Sequence, residues 1–236
     1  MINTVIALFA AHVLADFVLQ TAKMVETKRN PLTLLAHIAV VIATAALMLG
    51  SLSPWLLALG LAHGAIDIAK TFGPRNLTAF MADQAAHLIS LLLMAILLPT
   101  LWVTGIWAAT PWLPAAMMLA AGAITATRAG GFAIGLLMLP WAASSPQGLP
   151  GGGRAIGNLE RGLIFLMVLS GQATAIGFLI AAKSVLRFGT VGDDRAISEY
   201  VIIGTLASFA WAMVAAFVTV AVLAQLPALG IPDLTP

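Results

Sequence analysis

Cysteine is absent from this 236-residue chain, and charge is scarce: Asp, Glu, Lys and Arg make up 8% of it. Without thiols there is no disulfide framework, no thiolate catalysis and no Cys-ligated zinc or iron–sulfur site. A soluble domain carries roughly 25% charged residues. With 11 basic and 9 acidic side chains, this chain cannot cover itself with a water-facing coat. The formal net charge of +2 comes with no basic run and no aromatic ladder, which excludes nucleic acid as a partner. No Lys or Arg precedes the first apolar stretch, and that stretch holds His12 and Asp16. It reads as a retained first span, not a cleaved secretory signal.

What fills the chain is apolar sequence: 61% hydrophobic residues and a mean hydropathy of +1.04. The bilayer is its natural solvent, and the fold expected is an all-α polytopic transmembrane helical bundle. A membrane helix needs roughly 20 apolar residues. Candidate spans are Ile2–Gln20, Leu32–Gly50, Pro54–Ala69, Asp83–Val103, Trp112–Trp141, Leu159–Phe188 and Tyr200–Leu226. The fifth is over-long and carries Arg128, Gly130 and Gly131, where a break is expected. Lys23, Lys28 and Arg29 lie in the loop Thr21–Pro31, and Lys70 and Arg75 follow Ala69, whereas Ser51–Ser53 and Thr104–Thr110 hold no charge. The positive-inside rule then puts the N-terminus outside and both basic loops in the cytoplasm. The loop with Arg154 and the segment Lys183–Glu199 should also be cytoplasmic, so Leu159–Phe188 should turn back at Gly171-Gln172 as a hairpin or re-entrant pair. That gives about eight segments, with the C-terminal Pro227–Pro236 outside.

The first half repeats itself. "AAHVLADFVLQ" and "LLAHIAVV" are followed by "LAHGAIDIAK" and "QAAHLISLL". His12 to His37 is 25 residues and His63 to His87 is 24, so each of two helical hairpins offers His-x-x-x-Asp and then His. The expected organisation is a duplicated four-helix His/Asp membrane domain over 1–104, with repeats of about 1–50 and 54–104. A fifth span with its Gly/Pro-rich loop follows over 105–158, and a C-terminal hairpin and last span over 159–236.

All four histidines lie in these four spans, beside Asp16, Asp67 and Asp83. Ionisable groups in lipid are costly and usually face a bundle interior. His12/Asp16, His63/Asp67 and Asp83/His87 are each four apart and share a helix face. At 1.5 Å rise per residue, all seven groups fall within roughly 12 Å of the cytoplasmic boundary. Imidazole plus carboxylate without thiol suits a divalent metal, zinc or manganese first, then iron or nickel. Seven ligands suffice for two ions bridged by a carboxylate. Metal-ligand candidates are His12, Asp16, His37, His63, Asp67 and His87, with Asp83 as ligand or general base. A proton relay, or local hydrogen-bonded packing with Asp83 as a helix N-cap, is the plainer alternative. In the second half, Glu160, Arg161, Lys183, Arg187 and Glu199 read as snorkelling anchors or as a basic lip for an anionic head group. Gln20, Lys70, Gln84, Arg161, Lys183 and Arg187 are the substrate-binding candidates. The six tryptophans read as an interface belt.

The run His12-x-x-x-Asp16-Phe17-x-x-Gln20, then His37, "HGAIDIAK" and "DQAAH", resembles the bacterial membrane-protein family known as domain of unknown function 3307. "GNLERGLIFLMVLSGQATAIGFLIAAKSVLRFG" and "EYVIIGTLASF" resemble a C-terminal extension that many members carry. The resemblance covers most of the chain except roughly 103–154, and it implies a multi-pass protein of the bacterial inner membrane without implying an activity. At the level of motif type alone, the pattern is also similar to membrane-bound metal-dependent hydrolases. The expected function is hydrolysis, at the cytoplasmic leaflet, of a lipid or lipid-linked phosphate or ester. A divalent-metal or proton-coupled transporter and a non-catalytic membrane subunit are the alternatives.

Overall fold

The structure, a computed structural model, describes residues 1–144, 149–188 and 195–227, with the side chains of 184–188 outside the description. Helix α1 (Ile2–Leu14) runs into a π-helical turn at Ala15–Leu19; α2 (Ala22–Glu26) is a short loop helix; α3 is Pro31–Leu49, α4 Trp55–Thr71 and α5 Leu77–Leu97. Next come α6 (Leu113–Ile124), a second π-helical turn (Thr125–Ala129), α7 (Gly130–Met138) and a 3-10 turn to Ser144. The last helices are α8 (Gly152–Leu169), α9 (Ile176–Phe188) and α10 (Arg195–Leu223). No strand occurs among the described residues. Five stretches are long and apolar enough to cross a membrane: Ile2–Leu19, Pro31–Leu49, Leu77–Leu97, Leu113–Ser144 and Arg195–Leu223. Leucines and isoleucines on their outer faces, such as Leu35, Ile89, Leu93 and Leu97, stand exposed. With so few charges elsewhere, those faces suit lipid, and the chain is a helical membrane protein.

Local chemistry sets the ends. Asn30 caps α3 by accepting the Leu32 N–H at 2.9 Å, and Pro31 takes the first helical position, where its missing N–H costs nothing. Gly50 ends the helix in the left-handed conformation (φ 63°), with the Ser51 N–H closing on Ala46 O at 3.1 Å. A Cβ on Gly50 would meet Trp107 at 2.5 Å, so glycine is required twice over. The fourth span starts earlier than expected. Asn76 caps α5, accepting the Ala79 N–H at 2.8 Å, which places Asp83 inside the helix. The N-cap alternative for Asp83 is therefore corrected: Asn76 already performs that task.

Contacts divide the chain into two units, Met1–Ile124 with residues 222–227, and Thr125–Ala221. In the first, α1 packs against α3, α5 and α6, and α4 bridges α3 and α5. Over half of the α1 span is buried (56%), against 28% for α3 and for α5, so α1 is the central helix. Its Ala7, Ala10, Ala11 and Ala15 are small enough to admit three neighbours. Gly60 and Gly64 do the same for α4. A Cβ at either would lie 2.5–2.6 Å from Ile42 or Ile38 of α3.

In the second unit, the break expected near Arg128 is the π-helical turn itself. Trp211 Nε1 donates to Thr125 O at 2.9 Å. Arg161 donates to Thr127 O from both Nε (3.2 Å) and Nη2 (3.0 Å). Side chains thus satisfy carbonyls of the widened turn. The expected reversal near Gly171-Gln172 is present: α8 ends at Ser170, Gly171 is left-handed (φ 72°), and Lys183 meets Glu160 at 2.7 Å across the hairpin. Arg154, expected in a loop, lies in α8 just after Gly151, whose left-handed φ of 74° starts the helix. Trp55, Trp112 and Trp141 are exposed as a belt requires, but Trp102 is a core residue, and Trp107 joins Trp211 in donating to a helix carbonyl, here Leu47 O at 2.7 Å. The loop near residues 145–148, the connection 189–194 and the C-terminal residues 228–236 fall outside the described residues, and so do the expectations placed on them.

Candidate functional site

Four helices present His and Asp at one end of the first unit. His12 and Asp16 leave the C-terminal end of α1 and its π turn, and His63 and Asp67 leave the C-terminal half of α4. His37 lies in the second turn of α3, and Asp83 and His87 in the N-terminal half of α5. The π turn is a real i→i+5 closure, with Gln20 N–H on Ala15 O at 2.9 Å. It alters the direction in which Asp16 leaves the helix. The close α3–α4 approach at Gly60 and Gly64 brings His37 and His63 together. The four rings converge: centroids lie 5.8 Å apart for His12–His63, 5.1 Å for His12–His87, 5.1 Å for His37–His63 and 4.2 Å for His63–His87.

At the centre, His37 Nε2 and His63 Nε2 are 3.2 Å apart. Asp16 Oδ1 is 3.3 Å from the first and 3.4 Å from the second. Asp67 Oδ2 is 3.5 and 3.6 Å from the same two nitrogens. Donors sharing a tetrahedral ion at about 2.0–2.1 Å stand about 3.3–3.4 Å apart. Two donor triangles of that size thus share the His37–His63 edge. An imidazole nitrogen has one lone pair, so the pair can serve a single ion. In the absence of an ion, one ring N–H can donate to the other ring. That leaves Asp16 Oδ1 and Asp67 Oδ2 buried with no hydrogen-bond partner.

Around this centre, Lys28 takes Asp67 Oδ1, and Arg29 donates to Thr71 O at 2.8 Å, tying the α2–α3 loop to the end of α4. Lys70 and the Gln84 amide (3.0 Å) take Asp83 Oδ2. Gln84 Oε1 lies 3.3 Å from His12 Nε2, and His12 Nδ1 lies 3.8 Å from Asp16 Oδ2. His87 Nδ1 lies 2.9 Å from Asp83 O of its own helix. Phe17 and Phe80 meet edge-to-face at 6.4 Å beside His12. Buried side-chain atoms without a hydrogen-bond partner concentrate here: His12 Nδ1, Asp16 Oδ1, Gln20 Nε2, His37 Nδ1, Asp67 Oδ2, Asp83 Oδ1 and His87 Nε2, against one elsewhere among the described residues, Thr125 Oγ1. Buried polar groups are normally satisfied, so such a concentration sets this cluster apart from the rest of the described residues.

All seven expected His and Asp residues come together. Of the substrate-binding candidates, Gln84 and Lys70 join them as partners of Asp83, and Gln20 closes the π turn after Asp16. Arg161 and Lys183 belong to the second unit, where Arg161 is buried and Lys183 pairs with Glu160. The Arg187 side chain lies outside the described residues. The pairing of Lys28 with Asp67 is the feature that sequence reasoning missed, because the lysine served there only as a loop charge.

Residues 4–110 match the family described as Protein of unknown function (DUF3307). The match takes in every member of the cluster and ends in the loop after α5. The strings that suggested a C-terminal extension lie beyond it. No curated protein and no solved structure matches the chain.

Proposed function

We propose that this is a multi-pass protein of the bacterial inner membrane that holds a divalent metal, zinc or manganese, between His37 and His63. We further propose that it hydrolyses a lipid or lipid-linked phosphate or ester at the cytoplasmic leaflet. The single observation that carries the reading is the set of convergent buried donors at the spacing of a metal shell, with two carboxylate oxygens that no proton donor satisfies. A bound divalent cation polarises a phosphoryl or carbonyl oxygen and lowers the pKa of water. The chain supplies the rest. Lys28 and Lys70 each hold one oxygen of a carboxylate and turn the other toward the cluster. Asp83 Oδ1, buried and unpartnered, is available as ligand or proton acceptor. With neutral imidazoles, three carboxylates against two ammonium groups leave one negative charge. A divalent cation reverses its sign and attracts an anionic head group.

A carrier needs polar groups along a whole path. Beyond the cluster, the first unit buries Val41, Ala45, Leu49, Leu56, Leu59, Leu91 and Ala95, and its two buried hydroxyls there, Thr4 and Thr44, donate to backbone carbonyls. That supports a one-sided site over a transporter. The test is release of phosphate or fatty acid from a lipid phosphate or ester by full-length protein in nanodiscs with zinc or manganese. Metal-dependent turnover that Asp83→Asn abolishes is expected. No turnover, together with metal flux into proteoliposomes that His63→Ala abolishes, would instead establish a carrier. No bound metal, with a fixed co-purifying partner, would establish a subunit.

A further inference from the structure

Among the unpartnered atoms that the His37–His63 centre does not take up are a carboxylate oxygen and an imidazole nitrogen on one helix, α5. Asp83 Oδ1 and His87 Nε2 belong to neither donor triangle, and both side chains are buried, at 3% and 1% exposure. The hydrogen bond from His87 Nδ1 to Asp83 O, at 2.9 Å, puts the ring proton on Nδ1 and leaves Nε2 a bare lone pair. Metal-ligating histidines are held in this manner, the second nitrogen donating to a carbonyl or carboxylate. Lys70 and Gln84 occupy Asp83 Oδ2 in the same sense, orienting the carboxylate while Oδ1 remains free. Asp67, Asp83 and His87 offer donor atoms that all lie within 4.8 Å of one another.

We propose that His87 Nε2, Asp83 and Asp67 hold a second divalent cation. This rests on the reading of the first centre, because Asp67 belongs to both donor sets and acts as the carboxylate between them. Asp83 is then a ligand and not a proton acceptor. The cation satisfies Asp83 Oδ1 and His87 Nε2 at once. Two cations side by side are also the arrangement that clamps the attacking and leaving oxygens of a phosphoryl or acyl group.

The experiment is equilibrium dialysis of the detergent-solubilised full chain against manganese or zinc, with metal per chain measured by mass spectrometry and folding checked by circular dichroism. Two ions per chain are expected in the unmodified protein, and one in His87→Ala and in Asp83→Asn. The near-isosteric Asp83→Asn decides the matter if the alanine variant does not fold. One ion per chain that survives both substitutions overturns the second site and leaves the first standing. Two ions that survive both also overturn it. No ion in the unmodified protein overturns the first centre, and the second with it.

Discussion

Each unit of this protein buries a polar centre beside a π-helical turn, and the two centres are resolved in opposite ways. In the second unit, every nitrogen of the Arg161 guanidinium donates: to Thr127 O, to Asn158 Oδ1 at 2.8 Å and to Ser208 Oγ at 3.0 Å. Gly130, Gly131 and Gly157 clear the space, since a Cβ at any of them would lie 3.2 Å or less from an atom of Arg161 or Trp211. In the first unit, carboxylates and imidazoles converge and leave seven atoms without partners. A fully satisfied buried network stabilises and specifies a fold; a partly satisfied one loses stability unless something else completes it. The contrast sets a charge met on every nitrogen by protein atoms against a cluster that protein atoms leave incomplete.

Substitutions at the two centres should have separable effects. His63→Ala removes one of the two nitrogens common to both donor triangles and should lower metal affinity by more than about 100-fold, measured by competition with a chelating dye. Arg161→Met should leave metal content unchanged and lower the unfolding temperature, because each acceptor it abandons costs on the order of 1–3 kcal/mol. Metal loss in Arg161→Met would erase the distinction between the two centres. Gly64→Leu forces α3 and α4 apart at Ile38. It should cost about 1–3 kcal/mol and weaken metal binding as well, because His37 and His63 separate with their helices. Leu47→Ala, at an exposed site on the far end of α3, should stay within about 0.5 kcal/mol by thermal unfolding and leave metal binding alone.

Much of this was legible in the sequence, for reasons that differ by element. The long apolar runs announced α1, α3, α5 and α10, because lipid demands length and hydrophobicity and little else. The i,i+4 spacing of His12/Asp16, His63/Asp67 and Asp83/His87 placed each pair on one face, and the common depth of the four spans predicted their convergence. The early start of α5 was missed because "NLTAFMA" is only moderately apolar, although Asn76 carries a capping signal. Neither π turn has a sequence signature; each is a backbone response to the side chains packed around it. The burial of Arg161 was hidden for a related reason. A boundary arginine and a buried one look alike until Thr127, Asn158 and Ser208, distant in sequence, are seen to surround it. The glycines at 60 and 64 became informative only once Ile38 and Ile42 were seen against them.

The central claim is that the first centre is unsatisfied in protein atoms because it holds a metal ion. X-ray absorption at the metal edge, on protein purified without chelator, tests it most directly. The account predicts stoichiometric metal with nitrogen and oxygen donors at about 2.0–2.1 Å and the multiple scattering of two or more imidazoles, a scattering signal lost in His63→Ala. No metal above background, or an ion surrounded by oxygen alone, would contradict it.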